Sequence, residues 1–494
     1  MGKRLILIKK MVSVLESILT QNQTLVDALK DEASYLLERQ KHTRYQIIGR
    51  PKKVRRILIH EAAFLITVDA KNKLQVWPKY SVYIEDGMIK DVFRASQKKI
   101  PDKKIDLFYD ASKRGGVVIT PGFINGHAHP PMYLLRSSMT LDKGNVVDQV
   151  AKMAKLENQM TSDDFFLSAV GDFTEEQKHG ITTTLSHYAV FEAVEKAAKL
   201  TKQNVINAVS AVSNSHPKNS PAMVERILKK RKNYFSTPAI AIHYLHRATP
   251  VQLKQIKQLI KKYNVLLTMH AAETESWVGE CVSKYGKRTV EALVDLGLAS
   301  SNVILSHAVH LTDEEIKLVK KYQIGIVHLP TSNKIHKSGE FRYPLFAHYG
   351  AEKQIALGTD SVISKNALDL LSEALQTRIM HQQAHRVLYE DLFKMLTSQA
   401  ADILQLKNVG RILPGYRADL AFWKLRDRGF VPYNESKPIS LVGNMITHGG
   451  RNIRDLMING EFIIANRLHN VINESKLMSE LQAAHMRLRE RLKE

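Results

Sequence analysis

The chain has 494 residues, 44% apolar and 24% charged, a balance that excludes wholesale disorder and leaves ample length for a large core. Its single cysteine, Cys281, excludes an intramolecular disulfide and any zinc site built from several thiolates, and suggests a reducing compartment. A formal net charge of +23 fits nucleic acid, an anionic membrane surface or a solvated basic face; the lysines scatter through helical stretches without interleaved aromatics, which favours the last.

Residues 1–50 are expected to form a basic helical extension, because Leu15, Ile18, Leu19, Leu25, Leu29, Leu36 and Leu37 recur at helical spacing. Its expected role is packing against the body or a second copy of the chain, which makes a homo-oligomer the expected assembly. Membrane or nucleic-acid contact through its basic first residues is the alternative. No apolar run approaches the ~20 residues needed to span a bilayer. The apolar stretch 5–8 is broken by Lys9 and Lys10 with no small-residue cleavage site behind it, so a cytoplasmic protein is expected.

Residues 51–118 read as the first part of a small β domain, with strands expected at 57–67, 81–84 and 88–93 and a turn at Glu85, Asp86 and Gly87. From Val117 short apolar runs alternate with helical stretches, the grammar of βαβ units. Eight runs, at 117–119, 182–185, 205–209, 239–242, 265–269, 303–305, 324–327 and 354–357, fit an α/β fold: a closed (β/α)8 TIM barrel over residues 119–404 with a long insertion after its first strand. Residues 405–470 return to short strands, including a hairpin turned at Asn459 and Gly460, and are expected to complete the β domain as a composite sandwich. A charged helix closes the chain within 471–494.

The polar residues at the strand ends carry the chemistry. His127 and His129 lie two apart after the first strand, so on an extended chain both imidazoles point the same way. His187 follows the second strand, His243 the fourth, His270 and Glu273 the fifth, His307 and His310 the sixth, and Asp360 the eighth. In such a barrel these ends open on one face. Left unpaired, so many polar groups near a core would be costly, and together they read as a metal site. Imidazoles with one carboxylate suit Zn2+, with Fe2+ as the rival. An ion there lowers the pKa of a bound water to ~7. Glu273 is placed to handle a proton without binding the ion, and His307 either orients the water or binds the metal.

The stretches PGFINGHAHPPMYLLR, HGITTT, MHAAETESWV, YGKRTVEAL, SHAVHLTDEE, HLPTSN and ALGTDS occur in that order. Together they resemble the amidohydrolase superfamily, specifically its aminohydrolase branch, which includes methylthioadenosine/S-adenosylhomocysteine deaminases, guanine deaminases and triazine hydrolases. The likeness runs from about Arg55 to Asn466. It implies one metal ion per chain held by His127, His129, His270 and Asp360, with Glu273 as proton shuttle and His307 positioning the water. No lysine ends the fourth strand, where binuclear relatives carry a carbamylated one. The implied reaction is attack of hydroxide on an electron-poor ring carbon. Glu273 protonates the ring nitrogen and then the departing amine, Asp360 relays the proton of the water, and ammonia leaves. A small aminated heterocycle such as a purine, pyrimidine, pterin or triazine is the implied substrate, with His187, His243, Arg136 and Asn333 as candidate contacts. After the fourth strand the chain reads IHYLHRATP where adenosyl-type deaminases carry PHAPY; PTSN is closer to guanine deaminases, and PPMYLLRSSM to the adenosyl or triazine types. Hydrolysis of a cyclic amide, or displacement of a ring halide or alkylamine, is the alternative within enzymes, and a catalytically idle scaffold is the alternative outside them.

Overall fold

The computed structural model describes residues 45–48, 53–138, 146–213, 216–365, 367–449 and 453–492. The helices expected within residues 1–39 lie outside the described residues. Within the expected helical extension, Tyr45–Ile47 instead forms a strand antiparallel to Leu107–Asp110.

Short, nearly continuous apolar runs suit strands covered on both faces, and eight of them form the barrel: β1 (Phe123–Ala128), β2 (Ile181–Tyr188), β3 (Asn204–Ser210), β4 (Thr237–Tyr244), β5 (Leu267–Ala271), β6 (Val303–His307), β7 (Gly325–His328) and β8 (Ile355–Leu357). All neighbours pair in parallel, in chain order from β1 to β8. The ring closes just past β8, where Ala128 bridges Asp360 and the amides of Thr359 and Asp360 donate to the His127 carbonyl at 3.2 and 3.0 Å. Gly358 permits this approach, since a Cβ there would lie 2.9 Å from the backbone N and O of His127.

Inward side chains, among them Ile124, Leu185, Ile206, Ala239, Ala241, Ile304, Val327 and Ala356, fill the barrel, and Ala400 and Ala401 of the helix Ser398–Ile403 join the same cluster. The surrounding helices begin at side-chain caps. Thr161, Thr249 and Thr312 each accept from the backbone N–H three residues on, while Asp164, Gln252 and Glu315 reach back to the cap residue's own N–H. The insertion after β1 holds the helices Val146–Glu157 and Ser162–Lys178. The closing helix, Glu474–Arg491, buries Leu477, Leu481, Ala484 and Leu488 in one cluster with Phe165, Ala169 and Phe173 of the second of these. Among the described residues no helix is long and apolar enough to cross a membrane.

Segments before and after the barrel share a second sheet, ten-stranded among the described residues. Expected strand one, 117–119, belongs to it rather than to the barrel: Val117–Pro121 pairs antiparallel with Leu420–Lys424 and parallel with Arg56–Val68, and the barrel starts beyond Gly122. The sheet folds over on itself, since Tyr109 of Leu107–Asp110 stacks on Phe462 of Glu461–Ala465, five places away in strand order, with ring centroids 5.4 Å apart. Its halves also meet turn to turn. Gly87 (φ +77°) and Gly460 (φ +76°) lie so close that a Cβ on either would reach 2.6 Å from backbone of the other turn.

Candidate metal centre and active site

β1 delivers His127 and, one step beyond its end, His129; β5 delivers His270; Asp360 follows β8 across the seam. The Nε2 atoms of His127 and His129 are 3.1 Å apart, and those of His129 and His270 3.4 Å. Asp360 Oδ1 lies 3.3 Å from His129 Nε2 and 3.8 Å from His127 Nε2. Donor atoms held ~2.0–2.2 Å from one ion are roughly 2.9–3.7 Å apart, so the four side chains can share one ion. The three histidines alone form a group able to hold a metal.

Their outer nitrogens fix this aim. His129 Nδ1–H donates to the His187 carbonyl at 2.6 Å, and His270 Nδ1–H to the His243 carbonyl at 2.9 Å, which leaves each Nε2 lone pair facing the centre. His127 Nδ1 pairs with Ser306 Oγ at 2.8 Å. Burial, reinforced by the neighbouring imidazoles, holds His127 and His270 well below the usual histidine pKa, so both rings are neutral ligands at pH 7. Asp360 is held well below the usual carboxylate range: burial opposes this, but the nearby His129, His307 and His127 outweigh it. Ser332 and Ser364 both donate to its other oxygen, Oδ2.

Glu273 sits two residues past β5, buried, with its carboxylate accepting from the Tyr244 hydroxyl at 2.8 Å. His307 Nε2 is 3.6 Å from that same carboxylate oxygen, and His307 Nδ1–H donates to Asn333 Oδ1 at 2.8 Å. Ala272, His307, Ala308 and Asp360 all adopt positive φ, at 45°, 70°, 49° and 60°. Four non-glycine residues in the left-handed region on one rim mark backbone strain gathered where side chains must converge.

Two cavities open onto this cluster. An inner one of about 50 Å³ is lined by His270, Glu273, His307 and Asp360, with Tyr244 and His336 beside them. An outer one of about 350 Å³ is lined by His187, Tyr188, Glu157, His216, Arg247 and Trp277. His129, Met132, Met153 and His243 border both. The inner cavity suits a water and a reacting carbon; the outer has room for the rest of a small ligand.

Of the sequence candidates, His127, His129, His270, Glu273, His307 and Asp360 converge, and His187 and His243 line the outer cavity. Arg136 does not join them. Its guanidinium binds Glu175 of the helix Ser162–Lys178 at 2.7 Å and stacks on Tyr133, so it braces the insertion and lines neither cavity. Asn333 is fully buried and serves His307 rather than the cavity. His310 points away, its ring bonded to the Ser338 carbonyl. Sequence reasoning missed Tyr244, Ser306, Ser332 and Glu157. The first three stand beside named motif residues, whereas Glu157 ends a helix of the insertion and gives no local signal.

The amidohydrolase family matches residues 118–463, a span holding the barrel and the strands that follow it. The chain belongs to the amidohydrolase family. The 5-methylthioadenosine/S-adenosylhomocysteine deaminase of Thermodesulfovibrio yellowstonii is 30% identical to this amidohydrolase over 444 residues, covering 85% of this chain and 96% of the relative. An adenosine deaminase from Xanthomonas campestris, solved with bound zinc, superposes with a TM-score of 0.80 at 21% identity over 89% of this chain and all of the other. The triazine hydrolase of Arthrobacter aurescens gives 0.78 at 20% over 87% of this chain and 99% of the other. These two likenesses establish the shared barrel-and-sheet fold.

Proposed function

We propose that this amidohydrolase is a zinc-dependent aminohydrolase, one ion per chain, which hydrolytically deaminates a small aminated heterocycle. The observation that carries this reading is the convergence of four donors on one point with Glu273 and His307 beside them, facing the inner cavity. Relatives named for deamination of adenosine-type compounds give the same direction.

An ion held by His127, His129, His270 and Asp360 would supply a hydrolytic nucleophile at neutral pH by lowering the pKa of a water to ~7. The chain's own groups do the rest. His307, its Nδ1 proton committed to Asn333, turns the Nε2 lone pair toward the water position and accepts a hydrogen bond there. Asp360 takes the water's proton through Oδ1, the oxygen facing the ligands, while Ser332 and Ser364 steady Oδ2. Glu273, steered by Tyr244, gives its proton to the ring nitrogen beside the attacked carbon, takes one from the added hydroxyl as the carbonyl forms and passes it to the departing amine; the proton held by Asp360 then restores Glu273. Burial of the whole set strengthens each of these charge contacts.

Ammonia release is the direct test, screened with zinc-loaded enzyme across aminated purines, pyrimidines, pterins and triazines. Glu273→Gln is expected to keep its zinc and lose turnover by ~10²–10⁴-fold, the usual worth of a positioned acid–base group. An active Glu273→Gln enzyme removes Glu273 from the mechanism, and hydrolysis without ammonia replaces deamination by displacement of another leaving group.

A further inference from the structure

His187 is a group at the rim whose ring the proposed reaction leaves unused although it stands within reach of the metal-binding side chains. It is the second-last residue of β2, is 2% exposed, and its ring centroid lies 4.6 Å from that of His270 and 5.4 Å from that of His127. Its main-chain carbonyl anchors His129, but among the described residues neither of its ring nitrogens has a hydrogen-bond partner. A buried polar group left in that condition costs ~1–3 kcal/mol. The three-nitrogen metal group does not include it. The residue instead borders the outer cavity, on the wall it shares with Ser210 and Glu157.

Resting on the deaminase reading above, we propose that His187 is a specificity-determining residue that hydrogen-bonds a neutral polar substituent of the substrate's ring, a hydroxyl or carbonyl, where the ring's far side meets β2 and β3. A neutral imidazole offers one donor and one acceptor, which matches such a group. The wall also favours a neutral partner over an anionic one: the carboxylate of Glu157, tied to the Tyr188 hydroxyl, lines the same cavity, and Arg247 is exposed at the rim. The reacting carbon then occupies the inner cavity while the substituent extends into the larger one.

The test compares zinc-loaded wild type, His187→Phe and His187→Gln on adenosine and on 9-ethyladenine, which keeps the ring but lacks the hydroxyls. Wild type is expected to favour adenosine by ~10-fold or more in kcat/KM, the worth of one good hydrogen bond. His187→Phe is expected to lose that preference through a rise in KM on adenosine that exceeds any change on 9-ethyladenine, with zinc content and Tm as in wild type, and His187→Gln to recover most of it. Loss of zinc, or an equal fall on both compounds, overturns the proposal and makes His187 a prop for His129 and His270. If wild type releases ammonia from neither compound, purine deamination fails, and calorimetric binding to the Glu273→Gln enzyme still reads the contact: tighter adenosine binding that His187→Phe abolishes sustains it, and equal or absent binding overturns it.

Discussion

His129 and His270 hand their Nδ1 protons to main-chain carbonyls, of His187 and His243, whereas His127 relies on the side chain of Ser306. The three anchors therefore respond differently to mutation. Ser306→Ala is expected to weaken zinc binding by ~10–100-fold in a competitive chelator titration. His243→Phe is expected to leave zinc affinity nearly unchanged, because the anchor at that position is a carbonyl. A large loss of affinity in the second variant would mean that the ring, not the backbone, supports His270. The convergence of His127, His129, His270 and Asp360 was legible in the sequence, since all four sit at strand ends of one rim. Their supports were less so. Ser306 and Tyr244 are ordinary strand residues until the neighbouring strand shows what they touch, and Arg136, beside the first motif, was claimed by Glu175 of a helix far along the chain.

At the scale of elements, the seam between β1 and β8 decides whether the site assembles, because His127 and Asp360 meet across it. Gly358→Ala would push a methyl to 2.9 Å from the His127 backbone, against main chain that has no rotamer to yield. It is expected to destabilise the fold by ~1–3 kcal/mol and to lower zinc affinity together with Tm. Unchanged affinity would show that the seam relaxes without moving His127. Thr312→Ala, which removes the cap of the helix Asp313–Tyr322, is a control for generic helix damage: about 1 kcal/mol of stability lost, with zinc binding intact. The barrel strands were readable because each is a short apolar run between helical stretches. The first was misplaced because Val117–Pro121 and β1 are two consecutive apolar runs parted by Gly122 alone, and periodicity does not say which sheet a run joins.

For the whole molecule, buried titratable groups set a pH dependence. Burial, together with neighbouring histidines, holds His127, His187, His270 and His328 well below the usual histidine value and His243 at about 3. In the unfolded chain these rings take up protons near pH 6.5 that the fold refuses, so each costs stability as pH drops below 6.5. The raised carboxyls Asp172, Glu157 and Glu176, the last pushed up to about 8 by burial, act in the opposite sense: they favour the fold at low pH and lose that contribution as pH rises. Among the described residues the lowered imidazoles outnumber the raised carboxyls, which predicts a net loss of stability as pH drops below 6.5. Thermal melts of the metal-free protein from pH 7 to 5 are expected to show Tm falling steadily; a flat or rising Tm would mean that the buried carboxyls dominate.

The central claim is that four side chains from β1, β5 and the seam form one zinc site, and elemental analysis addresses it most directly. Protein purified without chelator or affinity metal, or stripped and then given zinc, is expected to hold one ion per chain, and His270→Ala and Asp360→Ala to hold none. A wild-type chain that binds no ion even after zinc is supplied would contradict the account.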